Sequence, residues 1–142
     1  MVRVVRTCSS DVSQAEQVIS QIVAEVTPWL AERPEELFYL RLILTELVMN
    51  AVQYGSSGDC RPCILVRVGL IPSQGFVVVV GDRCGRNFDP VDIAKLQLRL
   101  IESEQPDLRE RGRGLALVIS LSDRVAFRHS NRVISAKRSF GT

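Results

Sequence analysis

Apolar residues recur along this chain with two periods, and the switches between them mark out its elements. Val2, Val4 and the interleaved Arg3 and Val5 open a short strand that ends at Cys8-Ser9-Ser10-Asp11, and the Asp11-to-Gln14 spacing is that of a helix cap. Val18, Ile19, Ile22, Val23 and Val26 then fall on one stripe at helical spacing, and Pro28 predicts a stop near Thr27, with Trp29 and Leu30 beginning a connection. Pro34-Glu35-Glu36 is a second start signal, because proline and acids suit a first helical turn. It leads into Leu37, Leu40, Leu44, Leu47, Val48 and Ala51 as a buried stripe, ended by Gly55-Ser56-Ser57-Gly58.

Residues 64–70 and 76–80 read as two strands joined through Pro72-Ser73-Gln74-Gly75. The second is apolar at every position, which suits a central strand covered on both faces, and it delivers Gly81-Asp82 to its end. Between Pro90 and Arg111 the chain becomes charged and irregular around a short helix at 93–101, a pattern that predicts a lid over roughly 90–111. Residues 115–121 read as a further helix, and 125–128 with 133–140 as a hairpin around Ser130-Asn131, with Ser135, Lys137 and Ser139 pointing outward. The expected fold is α+β, a two-layer α/β sandwich whose mixed, mostly antiparallel sheet is covered on one face by helices.

Three segments carry candidate chemistry. Glu46 and Asn50 stand one helical turn apart on one face, so a carboxylate and a neutral amide oxygen can share a pocket, as a base beside a magnesium ligand would. Most such residues are merely solvated, but Asn50 lies mid-helix in the apolar stretch Leu47-Val48-Met49-Asn50-Ala51-Val52, where an unpartnered amide is costly. Gly112 and Gly114 precede the apolar run, so free N–H groups and a positive dipole end would face an anion such as a triphosphate. Arg109, Arg111 and Arg113 would approach the same phosphates. Asp82, at a strand end, is suited to accept a hydrogen bond from an exocyclic amine, with Gly85 leaving room for a base ring; a simple Asp/Gly turn is the plainer alternative.

At 142 residues the chain predicts one domain, 1–142. Its 18 basic and 16 acidic groups give +2, too near neutral to favour nucleic acid as the partner. The amino terminus lacks a signal-peptide pattern and the apolar runs are short of a membrane span, so a cytoplasmic location is expected. Cys60-Arg-Pro-Cys63 has redox or zinc spacing, yet it opens a strand rather than a helix, and a zinc site would have to recruit Cys8, Cys84 or His129 from distant segments. Ordinary reduced thiols are the expectation.

In this order the segments resemble the GHKL superfamily of ATPases, with the Bergerat-type fold, and the short length is similar to its bacterial anti-sigma-factor serine kinases of the RsbW and SpoIIAB type. The resemblance covers nearly the whole chain. It is carried by Glu46-Leu-Val-Met-Asn50-Ala51 and by the stretch from Arg111 to Val125, with its Gly-x-Gly-Leu-x-Leu core at Gly112 to Leu117. It implies ATP and Mg²⁺ as cofactors, with Asn50 holding the metal, Glu46 as general base, and Asp82 reading the adenine amino group. Gly85, Arg111, Gly112, Arg113, Gly114 and Leu115 would complete the nucleotide site. The first glycine box departs from the family pattern, because Arg83 and Cys84 separate Asp82 from Gly85 and Asn87 replaces a second small residue. That spacing predicts weaker or rearranged adenine binding.

The implied function is an anti-sigma factor and ATP-dependent protein serine/threonine kinase. It would sequester a sigma factor, phosphorylate a STAS-type anti-anti-sigma partner and act as a homodimer. A non-catalytic, nucleotide-dependent regulator-binding module is the alternative, although such a module has no need of Glu46. A sensor histidine kinase reading lacks a phosphoacceptor, since the sole histidine, His129, lies in an expected C-terminal strand.

Overall fold

In a computed structural model that describes residues 1–9, 11–54, 63–82, 110–128 and 133–141, the chain begins with strand β1 (Val2–Ser9) and helix α1 (Val12–Val26). A single 3₁₀ turn (Thr27–Leu30) and helix α2 (Pro34–Tyr54) follow, then β2 (Cys63–Ile71), β3 (Gly75–Asp82), helix α3 (Glu110–Leu121), β4 (Arg124–Arg128) and β5 (Val133–Ser139). The expected end of α2 at 55–58, Cys60, Cys84, Gly85, the lid up to residue 109, His129 and the turn at Ser130-Asn131 lie outside the described residues.

The local signals act largely as their chemistry dictates. Asp11 caps α1, its carboxylate accepting from the Ser13 N–H at 3.3 Å. Gln14 does not complete the reciprocal box; it turns to Ser9 and accepts from that hydroxyl at 2.7 Å. At the other end Thr27 Oγ1 donates to the Val23 carbonyl at 2.6 Å, and Pro28, unable to continue the α-helical ladder, starts the 3₁₀ turn instead of a plain connection. That turn buries Leu30 and leaves Trp29 54% exposed.

The five strands order as β1-β2-β3-β5-β4. Every neighbouring pair is antiparallel, so the sheet is not mixed among the described strands. Register lines up Val4, Val68, Val78 and Ala136 across four strands on one face, and Val66, Val80 and Ile134 in the adjacent row, all buried. Over them lie Ile19, Ile22 and Val26 of α1, Leu40, Ile43, Leu44, Leu47 and Val48 of α2, and Leu115 and Val118 of α3. Each fully covered Val, Leu or Ile stabilises the fold by about 1.5–3 kcal/mol relative to exposure. Ile43, absent from the expected stripe, is fully buried, and Leu37 only packs at its margin.

The opposite face carries no described helix. Val5, Arg67, Val79 and Ser135 are in register across it, and Val5 is 47% exposed. Among the described residues the apolar run of β3 therefore belongs to a central strand covered by helices on one face, with Val77 and Val79 half-buried on the other.

Arg138 of β5 fixes how two helices sit on this sheet. Its Nε donates to Glu36 Oε2 at 2.7 Å and a terminal nitrogen to Glu36 Oε1 at 3.3 Å. The other terminal nitrogen donates to the Leu121 carbonyl at 2.6 Å, and the guanidinium stacks 4.3 Å from the centre of the Tyr39 ring. The first turn of α2 and the last of α3 are thus tied to one strand position.

Candidate functional site

Arg138 pairs with Phe76 near the start of β3, so the anchored start of α2 lies at that end of the sheet. From Glu36 to Asn50 a helix rises about 21 Å, and from Phe76 to Asp82 a strand advances about 20 Å. Because α2 packs on β3, the stretch bearing Glu46 and Asn50 is carried toward the end of the strand where Asp82 lies. Helix α3 is anchored by its last turn, so it runs the other way and brings its first turn to the same end.

Asn50 is 6% exposed and is the buried polar side chain among the described residues. Its neighbours on α2, Leu47, Val48 and Ala51, are all core residues. Such a site tolerates an amide only where its oxygen and nitrogen have work to do or a partner to meet. Glu46, one turn earlier on α2, is half-buried.

Gly114 of α3 lies against Glu46. A Cβ at that position would overlap Glu46 Oε2 and stand 3.2 Å from Glu46 Cδ. The asparagine-bearing and glycine-bearing motifs therefore meet through a carboxylate and a missing side chain, a contact that sequence reading did not foresee.

Helix α3 begins earlier than the sequence suggested, at Glu110 instead of after Gly114. The first N–H groups of a helix are the ones without intrahelical partners, and here they belong to Glu110, Arg111 and Gly112. Those of Gly114 and Leu115 fall inside the ladder, and Leu115 is 4% exposed within the core. The anion-attracting end of α3 is therefore one turn nearer the expected lid. Arg111 and Arg113 sit in that turn.

Asp82 is the last residue of β3, its backbone in register with Ile64, and Gly81 before it is buried. Gly85 lies outside the described residues. Among the described residues no group of three or more His, Cys, Asp or Glu side chains could hold a metal ion. Cys8 is buried in the core. No helix among the described residues is long and apolar enough to cross a membrane.

Residues 8–136 match the family model of the histidine kinase-like ATPase domain. The match spans both helices of the site, the strand ending at Asp82, β2 and β4, with the end of β1 and the first half of β5. No curated protein is similar enough to count as a match.

Proposed function

The chain belongs to the histidine kinase-like ATPase domain family, and we propose that it is an ATP-dependent protein serine/threonine kinase of the anti-sigma-factor type. ATP binding follows from the family. The kinase reading rests chiefly on one observation, the half-buried Glu46 carboxylate held one turn from buried Asn50 and against Gly114 of α3.

In this reading the Asn50 amide oxygen supplies one of the few protein ligands that Mg²⁺ needs, which suits a hard-oxygen donor otherwise out of place in the core. The ion, when bound, would neutralise charge on the phosphates. The first-turn N–H groups of Arg111 and Gly112, with the Arg111 and Arg113 side chains, would hold the phosphate oxygens through hydrogen bonds. Asp82 would accept from the adenine amino group, with Gly85 beside the ring. Glu46 would take the proton of a partner Ser or Thr hydroxyl as that oxygen bonds to the γ-phosphorus and the bond to the β,γ-bridging oxygen breaks. ADP would leave, and the partner would keep the phosphoryl group.

Partner switching would complete the cycle. The kinase would sequester a sigma factor, release it when an unphosphorylated STAS-type anti-anti-sigma protein competes, and inactivate that competitor by phosphorylating it. A homodimer and a cytoplasmic location belong to the same proposal.

Incubation with Mg²⁺ and γ-labelled ATP plus a STAS-domain protein from the same genome tests it. Label on a partner Ser or Thr, absent with Glu46→Ala, is the expected result. ATP binding without transfer to any such partner would favour the non-catalytic module, for which the lengthened Asp82-to-Gly85 spacing is the specific support.

A further inference from the structure

Glycine is a poor helix former, yet Gly114 lies inside α3 with its N–H within the intrahelical ladder. No turn or left-handed backbone requires it there. What occupies the space of its side chain is the Glu46 carboxylate, since a Cβ on residue 114 would overlap Glu46 Oε2 and crowd Cδ at 3.2 Å.

We infer that Gly114 is a positioning residue for Glu46: its absent side chain is the seat in which the carboxylate rests. The role differs from that of a phosphate-contacting glycine, which works through a free N–H. Gly112, two residues earlier and still in the first turn, whose N–H groups have no intrahelical partner, is suited to that task. One helix then serves two purposes, its first turn toward an anion and its next turn toward the carboxylate. Any movement of α3 on nucleotide binding would shift the Glu46 seat with it.

The colliding atom is the free end of a flexible side chain, so a methyl group at position 114 should displace the carboxylate and leave the fold in place. The inference rests on Glu46 acting as the base only where turnover is concerned. The contact itself is independent of any reaction.

The test compares wild type with Gly114→Ala, Gly112→Ala and Glu46→Gln by three readouts: the ¹³C resonance of the Glu46 side-chain carboxyl, affinity for Mg-ATP by calorimetry, and turnover at saturating nucleotide. Glu46→Gln assigns the resonance. Gly114→Ala is expected to move it, to leave the ATP dissociation constant within about threefold, and to lower turnover about 10- to 100-fold, the scale on which a misplacement of about 1 Å acts. Gly112→Ala is expected to weaken ATP binding with the resonance unmoved. An unmoved Glu46 resonance in Gly114→Ala, or a loss of ATP affinity as large as the loss of turnover, overturns the inference. If Gly114→Ala does not fold, Glu46→Ala in the same chain should restore folding by removing the colliding atoms; failure to restore it likewise overturns the inference. Absence of turnover in wild type would sink the kinase proposal, while the resonance and the affinity would still decide the role of Gly114.

Discussion

Truncating Arg138 to alanine removes four interactions at once. Two are the forked hydrogen bonds to Glu36, at 2.7 and 3.3 Å; the others are the 2.6 Å bond to the Leu121 carbonyl and the stack on Tyr39. Hydrogen bonds to charged groups contribute about 1.5–3 kcal/mol net and neutral ones about 1 kcal/mol, and an exposed cation–π contact about 0.5–1 kcal/mol. The pair retains 21% and 14% side-chain exposure, so water will solvate part of what is lost. The lower values together come to about 5 kcal/mol; discounted for that solvation, the expected destabilisation is about 3 kcal/mol. At about 3 °C per kcal/mol for a chain of this size, the melting temperature should fall by about 10 °C. Arg138→Lys keeps a charge but not the planar fork, and should lose about half as much. The hydrogen bond to Glu36 raises the Arg138 pKa further above its already high ordinary value, so the effect should not vary across neutral pH. Urea melts of the three proteins decide the matter where unfolding is two-state. A change below about 0.5 kcal/mol in Arg138→Ala, on the scale of a plain surface substitution, would refute the idea that this side chain anchors both helices.

Gly75→Ala should destabilise by about 1–3 kcal/mol, because its Cβ would overlap the Arg138 carbonyl oxygen and lie 2.9 Å from Ser139 Cα, backbone that cannot rotate aside. Gly69→Ala, with nothing within 4 Å of the new atom, is the control, and parallel melts that show equal losses would contradict the difference. Asp123 has its pKa lowered by the Ser139 hydroxyl, then by the Ser139 backbone N–H at 2.5 Å, with Arg138 and Lys137 adding their charge. Its contribution should therefore be complete above the unfolded value of about 3.9 and be lost as pH falls through the lower folded value. The stability gap between wild type and Asp123→Ala should be flat above about pH 4 and shrink below it; a gap that widens on acidification, measured by melts at stepped pH, would reverse the sign.

Much of the fold was legible because side-chain periodicity reports burial directly. The α1 stripe read from Val18 to Val26 and, Leu37 at its margin apart, the α2 stripe read from Leu37 to Ala51 are the faces that pack on the sheet. The failures have physical reasons. Five successive apolar residues in β3 say nothing about which face a helix covers, so one-sided burial was not visible. Glycines 112 and 114 read as lying ahead of the helix because the apolar run begins only at Leu115, whereas α3 starts at Glu110 and is held by Leu115 and Val118 in the core and by Arg138 at its end. Glu46 and Asn50 were legible from their spacing, and burial of Asn50 within the apolar face makes it the least ordinary residue of the site. The meeting of Glu46 with Gly114 was not, since it depends on two helices running in opposite directions from one arginine.

The central claim is that Glu46 acts on the transferred group while Asn50 holds the metal–nucleotide complex. Calorimetric Mg-ATP affinity and transfer of γ-label to a STAS-domain partner, measured side by side on wild type, Glu46→Ala and Asn50→Ala, address it most directly. Wild-type affinity without transfer is expected in Glu46→Ala, and loss of both in Asn50→Ala. Equal loss of nucleotide binding in the two variants, or transfer that survives Glu46→Ala, would contradict it.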